Sequence, residues 1–314
     1  MNVKDFEYLV ILGKYRSISK AAQELYISQP ALSKFLQKTE FELGTPLFQR
    51  VGKTLIPTPA GEYCLEKAAD ILFLHQQAVT RCNDITHLSC GQIKLGLPMS
   101  RTNYVISQIL PAFYKKYPGI RISIYEDATA LLIKKLRAGE LDLIYINFTD
   151  NIQYPDLLYN PISEEEMVLA VPQSYGLASF SHASSHSCFP VLPINAWKEL
   201  PFIMLEQGQS TLSFVRDFFQ KNEISPNIIL SIRNLGQALY AVRQGLGVTI
   251  TPSIPIFESE EPAAVSYFSL SNDRRSVHRR TAIVHRGDAY LSQAEKGLIE
   301  IMAAQAPSVL KSVT

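Results

Sequence analysis

Side chains that can read DNA bases gather at the start of one predicted helix near the N-terminus. Ser28 is a good N-cap, and Pro30 falls in the first turn, where a missing N–H costs nothing. Gln29, Ser33 and Lys34 lie early in this helix. Gln pairs with adenine and Lys reaches guanine O6 and N7 in the major groove. The pattern indicates a recognition helix, although Gln29 and Ser33 could also touch only phosphate.

Basic side chains surround these residues. Lys34, Lys38, Arg50 and Lys53 lie on the elements expected to face DNA, where they would neutralise phosphates. Residues 1–57 hold eight Lys or Arg and five Asp or Glu, an excess of three, whereas the whole chain has a net charge of +1. Because the whole chain is nearly neutral, any DNA-binding surface must be local.

A second group of polar residues suits a small anion. A predicted strand ends at Leu97, and Ser100, Arg101, Thr102 and Asn103 start the next helix. Hydroxyls and free backbone N–H groups at a helix N-terminus, beyond the carboxyl end of a strand, suit a carboxylate. The alternative is that Ser100 and Thr102 only cap the helix.

Other reactive residues give weaker signals. His182, His186 and Cys188 form H-x₃-H-x-C in a Ser-rich stretch that is typical of a surface loop, and no fourth ligand is suggested. We therefore expect no metal site. The four cysteines, at irregular spacings, are expected to be free thiols in a reducing compartment. No nucleophile-and-base arrangement is readable, so we expect no enzyme activity and no cofactor.

Two charge runs are expected at the surface. Glu164–Glu166 reads as a solvated turn, and the arginines around His278 read as an exposed loop with the start of a strand. Gly245-x-Gly247 follows a helix and lacks the third glycine of a dinucleotide motif.

Residues 1–57 read as short helices, with Ser19 as the expected cap of the second and Tyr26 where a turn glycine is usual. From Thr58 to about His87 no proline interrupts. Apolar residues recur there at near-heptad spacing, namely Leu65, Ala68, Leu72, Val79 and Cys82. An apolar stripe on a long helix indicates a dimerisation helix; the alternative is packing on its own domain.

From residue 92 the pattern becomes β-α-β-α-β, followed by a second α/β unit, a late strand at 281–284 and a C-terminal helix capped by Ser292 and Glu295. No secretory signal and no apolar run of about 18 residues is present, so we expect a cytoplasmic protein without a membrane segment.

Several motifs stand in one fixed order. These are Ala21-Ala22-Gln23-Glu24-Leu25, Ser28-Gln29-Pro30-Ala31-Leu32-Ser33, Glu42-Leu43-Gly44-Thr45-Pro46-Leu47-Phe48-Gln49-Arg50 and Thr58-Pro59-Ala60-Gly61. Later stretches follow, at Leu110-Pro111-Ala112-Phe113, Gly139-Glu140-Leu141-Asp142-Leu143 and Gly245-Leu246-Gly247-Val248. Together they closely resemble LysR-type transcriptional regulators over essentially the whole chain.

The resemblance implies an α/β sensor domain of two periplasmic-binding-protein-like lobes, with an N-terminal winged helix-turn-helix and a linker helix. It implies double-stranded DNA, a small-molecule effector and RNA polymerase as partners, and self-association as a dimer or tetramer. Gln29, Pro30, Ser33 and Lys34 match the reading positions, and Arg50 and Lys53 match the wing. The family usually has Arg at position 34, and Lys loses its fork geometry.

By the same matching, Thr129, Asn147, Phe202 and Met204 would line the effector cleft with residues 100–103, although Phe202 and Met204 could also be strand core. The expected domains are 1–57 (winged helix-turn-helix), 58–88 (linker helix) and 91–314 (effector domain). Lobe I covers about 91–161 and 268–314, and lobe II about 162–267.

The expected function is a DNA-binding transcription regulator that is switched by a small organic anion. One alternative is an architectural DNA-binding protein whose α/β domain only oligomerises. Another is an enzyme with an appended DNA-binding domain.

Overall fold

The computed structural model describes residues 1–52, 54–85, 90–148, 153–206, 210–253, 264–270 and 278–305. The chain divides into two compact units, each described by itself below. The first is Met1–Leu88 with Ala138–Glu140, and the second is Ser89–Arg137 with Leu141–Thr314.

The first unit contains four helices and a β-hairpin within its described residues. The elements are α1 (Val3–Tyr15), α2 (Ile18–Glu24), α3 (Gln29–Leu43), β1 (Phe48–Val51), β2 (Thr54–Pro57) and α4 (Pro59–Ile85). The side chain of Ser28 accepts a hydrogen bond from Ala31 N, so the predicted start of α3 is confirmed, and Gly44 ends the helix with φ 68°. The predicted cap of α2 is wrong: Ser17 caps it by accepting from Lys20 N, and Ser19 lies inside the helix.

The antiparallel hairpin β1–β2 is held against the helices by residues of the matched motifs. Glu40 Oε1 accepts from the backbone N–H groups of Leu47 and Phe48 at 2.8 and 3.0 Å. The Thr58 hydroxyl donates to Pro46 O and accepts from Gly61 N at the start of α4. A Cβ atom on Gly61 would lie 1.9 Å from the carbonyl oxygen of Leu47, so only glycine allows this approach.

The long helix α4 is confirmed, but its apolar stripe has two parts. Leu65 packs against Gly13 of α1, and Ala68 is buried, so this half packs on its own domain. Further along, α4 exposes Ile71, Leu74 and Val79, at 38, 62 and 41% of their surface. An exposed apolar row of this kind on a helix needs a partner.

The second unit is the predicted two-lobed α/β arrangement. Its strands are β3 (Gly91–Leu97), β4 (Ile120–Glu126), β5 (Leu143–Phe148), β6 (Leu157–Pro172), β7 (Pro201–Leu205), β8 (Asn227–Ile232), β9 (Thr249–Pro252), β10 (Val265–Ser269) and β11 (His278–Arg286). Its α-helices are α5 (Thr102–Tyr104), α6 (Leu110–Lys116), α7 (Thr129–Arg137), α8 (Ser210–Lys221), α9 (Leu235–Arg243) and α10 (Gln293–Gln305). A π-helical turn at Val105–Ile109 joins α5 to α6.

Lobe I is built on β3, which pairs in parallel with β4 and β5, while β5 pairs antiparallel with β11. In lobe II, β6 pairs with β9 and β10, and β7 pairs in parallel with β8. Each lobe has its own apolar core. The predicted box of Ser292 and Glu295 caps α10, because each donates a backbone N–H to the side chain of the other.

Strand β6 is much longer than predicted and connects the lobes. Its first half pairs with β11, and its second half enters the lobe II core. The prediction of a solvated turn at Glu164–Glu166 is therefore wrong. These residues lie within β6, and Glu165 and Glu166 are 1 and 0% exposed. The expectation of an exposed loop is also wrong for Arg279, which lies in β11 directly opposite Glu165 with its side chain 9% exposed.

Candidate functional site

The turn between α2 and α3 is shaped for a helix-turn-helix despite its lack of glycine. Tyr26 adopts the left-handed conformation with φ 54°, and its side chain is 96% exposed. Ala22 and Leu32 are buried in the shared core of α2 and α3. The turn therefore keeps the geometry that glycine normally provides, at a backbone cost of about 1 kcal/mol.

The structure brings the predicted DNA-contacting residues to one helix and one strand. Gln29, Pro30, Lys34 and Lys38 are exposed on α3, and Ser33 is half-buried. Lys38 forms an exposed ion pair with Glu42 at 3.5 Å. Arg50 is exposed on β1, while Lys53 lies outside the described residues. Exposed cations near the start of a helix can contact a phosphate backbone.

Gln29 makes one defined contact. Its Oε1 accepts a hydrogen bond from the hydroxyl of Ser19, on α2, at 3.0 Å. No feature of the sequence pattern alone pointed to this pair.

Five of the predicted effector residues lie at the carboxyl ends of adjacent strands of lobe I. Four of them follow a strand, and the fifth lies near the end of a strand. Leu97 of β3 lies beside Glu126 of β4, so the segments after these strands start next to each other. Ser100, Arg101 and Thr102 follow β3, Thr129 begins α7 after β4, and Asn147 is near the end of β5. Ligands of open α/β sheets bind at this edge. Asn103 is solvent-exposed on α5.

Arg101 is almost fully buried and binds a carboxylate of the chain itself. Its two terminal nitrogens contact Glu165 Oε1 and Oε2 at 2.5 and 3.0 Å. Nη1 also donates to the Tyr145 hydroxyl at 3.2 Å, and Nη2 donates to Asn147 Oδ1. The guanidinium carbon lies 4.5 Å from the centre of the Tyr145 ring. Arg101 and Asn147, both predicted site residues, thus belong to one hydrogen-bonded cluster.

A second arginine completes this cluster from the opposite strand. Arg279 Nε contacts Glu165 Oε2 at 3.0 Å, and its Nη1 donates to the Thr211 hydroxyl on α8 at 3.0 Å. One carboxylate therefore joins Arg101 of lobe I, two connecting strands and a helix of lobe II. Sequence patterns do not identify Glu165, Arg279 and Thr211 as site residues, because only the folded chain brings them together.

Two guanidinium groups share one carboxylate, so the cluster carries a net charge of +1. Burial alone would raise the pKa of Glu165, but Arg101 and Arg279 outweigh it and lower that pKa. Burial opposes the charge of Arg101, yet Glu165 raises the pKa of its guanidinium. The pKa of Arg279 is lowered, by burial and by repulsion from Arg101. The positive charge of the cluster is therefore incompletely compensated.

Two buried polar atoms at this edge of lobe I have no hydrogen-bond partner among the described residues. They are Nε of Arg101 and Oγ1 of Thr129. Orphan donors are costly in a protein interior, because a buried N–H or O–H loses its bond to water without a replacement. The two atoms are therefore able to donate hydrogen bonds that the described part of the chain does not use. The Thr102 hydroxyl, in contrast, donates to Glu126.

The two predicted apolar contacts lie elsewhere. Phe202 is 3% exposed and packs edge-to-face on Phe219 of α8, with ring centres 5.1 Å apart. Met204 is also part of the lobe II core. The packing of both side chains fits the alternative of strand core.

The segment with His182, His186 and Cys188 is tied to lobe II through a buried acid. Glu166 Oε2 accepts from the Ser187 hydroxyl at 2.7 Å, and its Oε1 accepts from Ser269 at 2.5 Å. Burial, and then the charge of Glu166, raise the pKa of the Cys188 thiol. The described residues contain no cluster of three or more His, Cys, Asp or Glu that could hold a metal ion.

No helix in the described part of the chain is both long and apolar enough to span a membrane.

The two units combine a winged helix-turn-helix that exposes cations with a two-lobed α/β domain that has orphan polar atoms at its sheet edge. This combination defines a DNA-binding transcription regulator with an effector-binding domain.

Comparison with known proteins identifies the family. Residues 3–62 match the model of the bacterial regulatory helix-turn-helix protein of the lysR family, and residues 86–307 match the LysR substrate binding domain. The chain belongs to the family of LysR-type transcriptional regulators, and the predicted family and fold class are confirmed.

Two relatives are distant in sequence but match nearly the whole chain. A Bacillus subtilis protein described as an uncharacterized HTH-type transcriptional regulator is 26% identical, over 96% of this chain and 94% of the relative. The hydrogen peroxide-inducible genes activator of Haemophilus influenzae is 24% identical over 99% of both chains.

Among solved structures, a full-length OxyR variant from Pseudomonas aeruginosa has a TM-score of 0.66 at 23% identity, over 98% of this chain and 97% of the other. CbnR in complex with its target DNA has a TM-score of 0.63 at 19% identity, over 98% of this chain and 100% of the other. These similarities show the fold.

Proposed function

We propose that this regulator is switched by a small organic anion bound at the carboxyl edge of the lobe I sheet. The site comprises Ser100, Arg101, Thr102, Thr129 and Asn147. The observation that carries the proposal is the pair of orphan polar atoms, Arg101 Nε and Thr129 Oγ1, which follow neighbouring parallel strands.

The electrostatics support an anion rather than a neutral ligand. The adjacent cluster has two guanidinium groups and one carboxylate, and the pKa of Arg279 is lowered by burial and by the charge of Arg101. An additional negative charge would compensate the excess positive charge. The N-terminus of α7, at Thr129, adds a partial positive charge to the same edge.

A link from this site to the lobes supports a switch. The guanidinium that would face the ligand also holds Glu165, which lies on β6 between the lobes. A ligand changes a conformational equilibrium only if its affinity differs between the two states. An anion that competes with Glu165 for Arg101, or that accepts a further hydrogen bond from Arg101, would bind the two states with different affinities.

On the DNA side, we propose that α3 enters the major groove with Gln29, Ser33 and Lys34. Pro30 lies in the first turn of this helix, and Lys38 contacts phosphate. Arg50 and Lys53 are proposed for the wing. The exposed side chains of Lys34, Lys38 and Arg50 support this assignment, and the fold is shared with CbnR, whose structure with its target DNA is known.

We also propose that two copies associate through the exposed apolar half of α4, at Ile71, Leu74 and Val79. Burial of these side chains between two copies would remove apolar surface from water, at about 25 cal/mol per Å². The proposal also includes the expected domain boundaries and a tetrameric assembly that contacts RNA polymerase. We propose, in addition, a cytoplasmic location and no enzyme activity.

Relatives include proteins described as hydrogen peroxide-inducible activators. Peroxide sensing through Cys188 is not favoured here. The thiolate is the reactive form of cysteine, and burial together with the charge of Glu166 raises the pKa of this thiol.

A thermal-shift screen of the full chain tests the effector proposal. The probes are acetate, succinate, citrate and benzoate, with uncharged amides of the same size as controls. A ligand at a hundred times its dissociation constant stabilises by about 2.7 kcal/mol. We expect stabilisation by at least one carboxylate and none by its amide.

Two variants locate the binding site. Thr129→Val removes the orphan hydroxyl at nearly constant volume and should abolish the ligand-induced shift. Ser107→Ala, at an exposed serine of the same lobe, should keep it. Equal shifts in both variants would place the ligand elsewhere. If no anion stabilises the folded protein, the result supports the architectural alternative.

A further inference from the structure

We infer that the ligand at the carboxyl edge of lobe I is an amino acid, whose carboxylate is bound near Arg101 and Thr129 and whose ammonium group is bound by Glu126. The inference rests on the proposed effector site and specifies the chemical class of its ligand. The observation behind it is that the exposed Glu126 carboxylate has no cationic partner among the described residues and contacts Thr102, the neighbour of the buried Arg101.

Glu126 lies at the carboxyl end of β4, beside the segment that holds Arg101. It is the last residue of its strand and pairs in register with Leu97, the last residue of β3. Its Oε1 accepts a hydrogen bond from the hydroxyl of Thr102, which directly follows Arg101 in the chain. Thr129 begins α7 shortly after Glu126. The carboxylate therefore stands at the same edge of the sheet as the polar atoms of the proposed site.

Two neighbouring acids at this edge differ in how their charges are compensated. Asp127 Oδ2 lies 3.4 Å from Lys135 Nζ, and its Oδ1 accepts a hydrogen bond from Ala128 N. Glu126 is solvent-exposed, and no Lys, Arg or His in the described part of the chain forms an ion pair with it. The hydroxyl of Thr102 is neutral and leaves the charge of the carboxylate in place. Glu126 is therefore able to form a charge-assisted hydrogen bond with a cation.

The buried cluster supplies the opposite charge. The side chain of Arg101 is 4% exposed, and its Nε has no hydrogen-bond partner among the described residues. Arg101 and Arg279 share the single carboxylate of Glu165, which leaves a net charge of +1. The edge thus has a positive charge in its interior and a negative charge at its exposed rim. A plain carboxylate would be attracted by the first and repelled by the second, whereas an amino acid is attracted by both.

Pairs of ligands that differ by one ammonium group test the inference. The pairs are acetate with glycine, succinate with aspartate, and 3-phenylpropionate with phenylalanine. Their dissociation constants for the full-length protein are measured by titration calorimetry. In at least one pair the amino acid should bind about tenfold more tightly than the plain acid, the low end for a hydrogen bond to a charged group. The N-acetyl derivative of that amino acid, which lacks the ammonium charge, should bind no more tightly than the plain acid.

Glu126→Gln tests the position of the ammonium group. The substitution keeps an acceptor for the Thr102 hydroxyl but removes the charge, so the amino acid should bind about tenfold more weakly. The plain acid should bind as tightly as before or more tightly, because a repulsive charge is gone. A damaged fold would weaken both ligands together. Glu300→Gln, at an exposed glutamate of α10 that pairs with Lys116 at 3.8 Å, should keep the wild-type preference.

Two results would overturn the inference and leave the effector proposal in place. Every plain acid could bind as tightly as its amino counterpart, or Glu126→Gln could leave the preference for the amino acid unchanged. If neither the plain acids nor the amino acids bind the folded protein, the inference and the effector proposal both fail.

Discussion

Substitution of Glu165 by glutamine tests whether this carboxylate holds the two lobes together. Gln is nearly isosteric but uncharged, so Arg101 and Arg279 would remain buried as two guanidinium groups without a counter-charge. Removal of one partner of a buried ion pair typically costs 3–5 kcal/mol. Here one carboxylate makes three charged contacts, at 2.5, 3.0 and 3.0 Å, so we expect the upper part of that range, about 4–5 kcal/mol.

The loss would be a large part of the total, because a folded domain is stable by only about 5–15 kcal/mol. The assay is urea unfolding followed by the fluorescence of Trp197, the chain's single tryptophan, which is 3% exposed in the lobe II core. The matched control is Glu164→Gln, at the exposed neighbouring position of the same strand. An exposed carboxylate should contribute about 1 kcal/mol or less.

The pH dependence gives an independent check. The pKa of Glu165 is lowered on folding, since Arg101 and Arg279 outweigh the effect of burial. A carboxylate of this kind stabilises the fold above its unfolded pKa of about 4.3, and the contribution is lost as the pH falls through the lower folded pKa. The difference between wild type and Glu165→Gln should be complete at pH 7 and should shrink below about pH 4. The reasoning is refuted if the variant matches Glu164→Gln at pH 7, or if the difference grows in acid.

Three further outcomes follow from single residues. Tyr26→Gly should not lower the melting temperature. The substitution removes about 1 kcal/mol of left-handed backbone strain from the folded state, and this offsets the greater freedom of glycine in the unfolded chain. A drop of several degrees would contradict this reasoning. Gly61→Ala should destabilise the first unit by about 3 kcal/mol in urea, since its Cβ would lie 1.9 Å from Leu47 O; wild-type stability would exclude the clash. In a variant whose other three cysteines are replaced by serine, Cys188 should react with a disulfide reagent at pH 7 more slowly than free cysteine. Glu166→Gln should accelerate the reaction of Cys188. No acceleration would show that the Glu166 carboxylate does not raise the pKa of this thiol.

Local hydrogen bonding explains which parts of the fold could be predicted from the sequence. The start of α3 at Ser28, its end at Gly44 and the box of Ser292 with Glu295 all depend on residues within four positions of each other. Such signals are complete in the sequence itself. The predicted cap of α2 was wrong because two serines, Ser17 and Ser19, stand two positions apart. The choice of Ser17 depends on where α1 ends, at Tyr15, which the apolar pattern did not define.

The charged cluster could not be predicted for a different reason. Three consecutive glutamates usually lie in water, and nothing near residue 165 in the sequence suggests otherwise. Glu165 and Glu166 are nevertheless buried, in a strand whose partner β11 lies more than a hundred residues later and pairs His278 and Arg279 with them. Arg101 was predicted as a ligand-contacting residue on the basis of its position after β3. Glu165, the carboxylate that binds Arg101, could only be found from the way the strands pair.

This pairing has a consequence for how the proposed effector would act. A ligand that only filled space at the lobe I edge would stabilise the protein without favouring either state. Arg101 is different, because its Nε has no partner in the described part of the chain while its other two nitrogens bind Glu165. Glu165 in turn holds Arg279, which reaches Thr211 at the start of α8 in lobe II. Any anion that moves Arg101 must therefore change the hydrogen bonding at both connecting strands, and on our proposal this is the step that couples ligand binding to the relative position of the lobes.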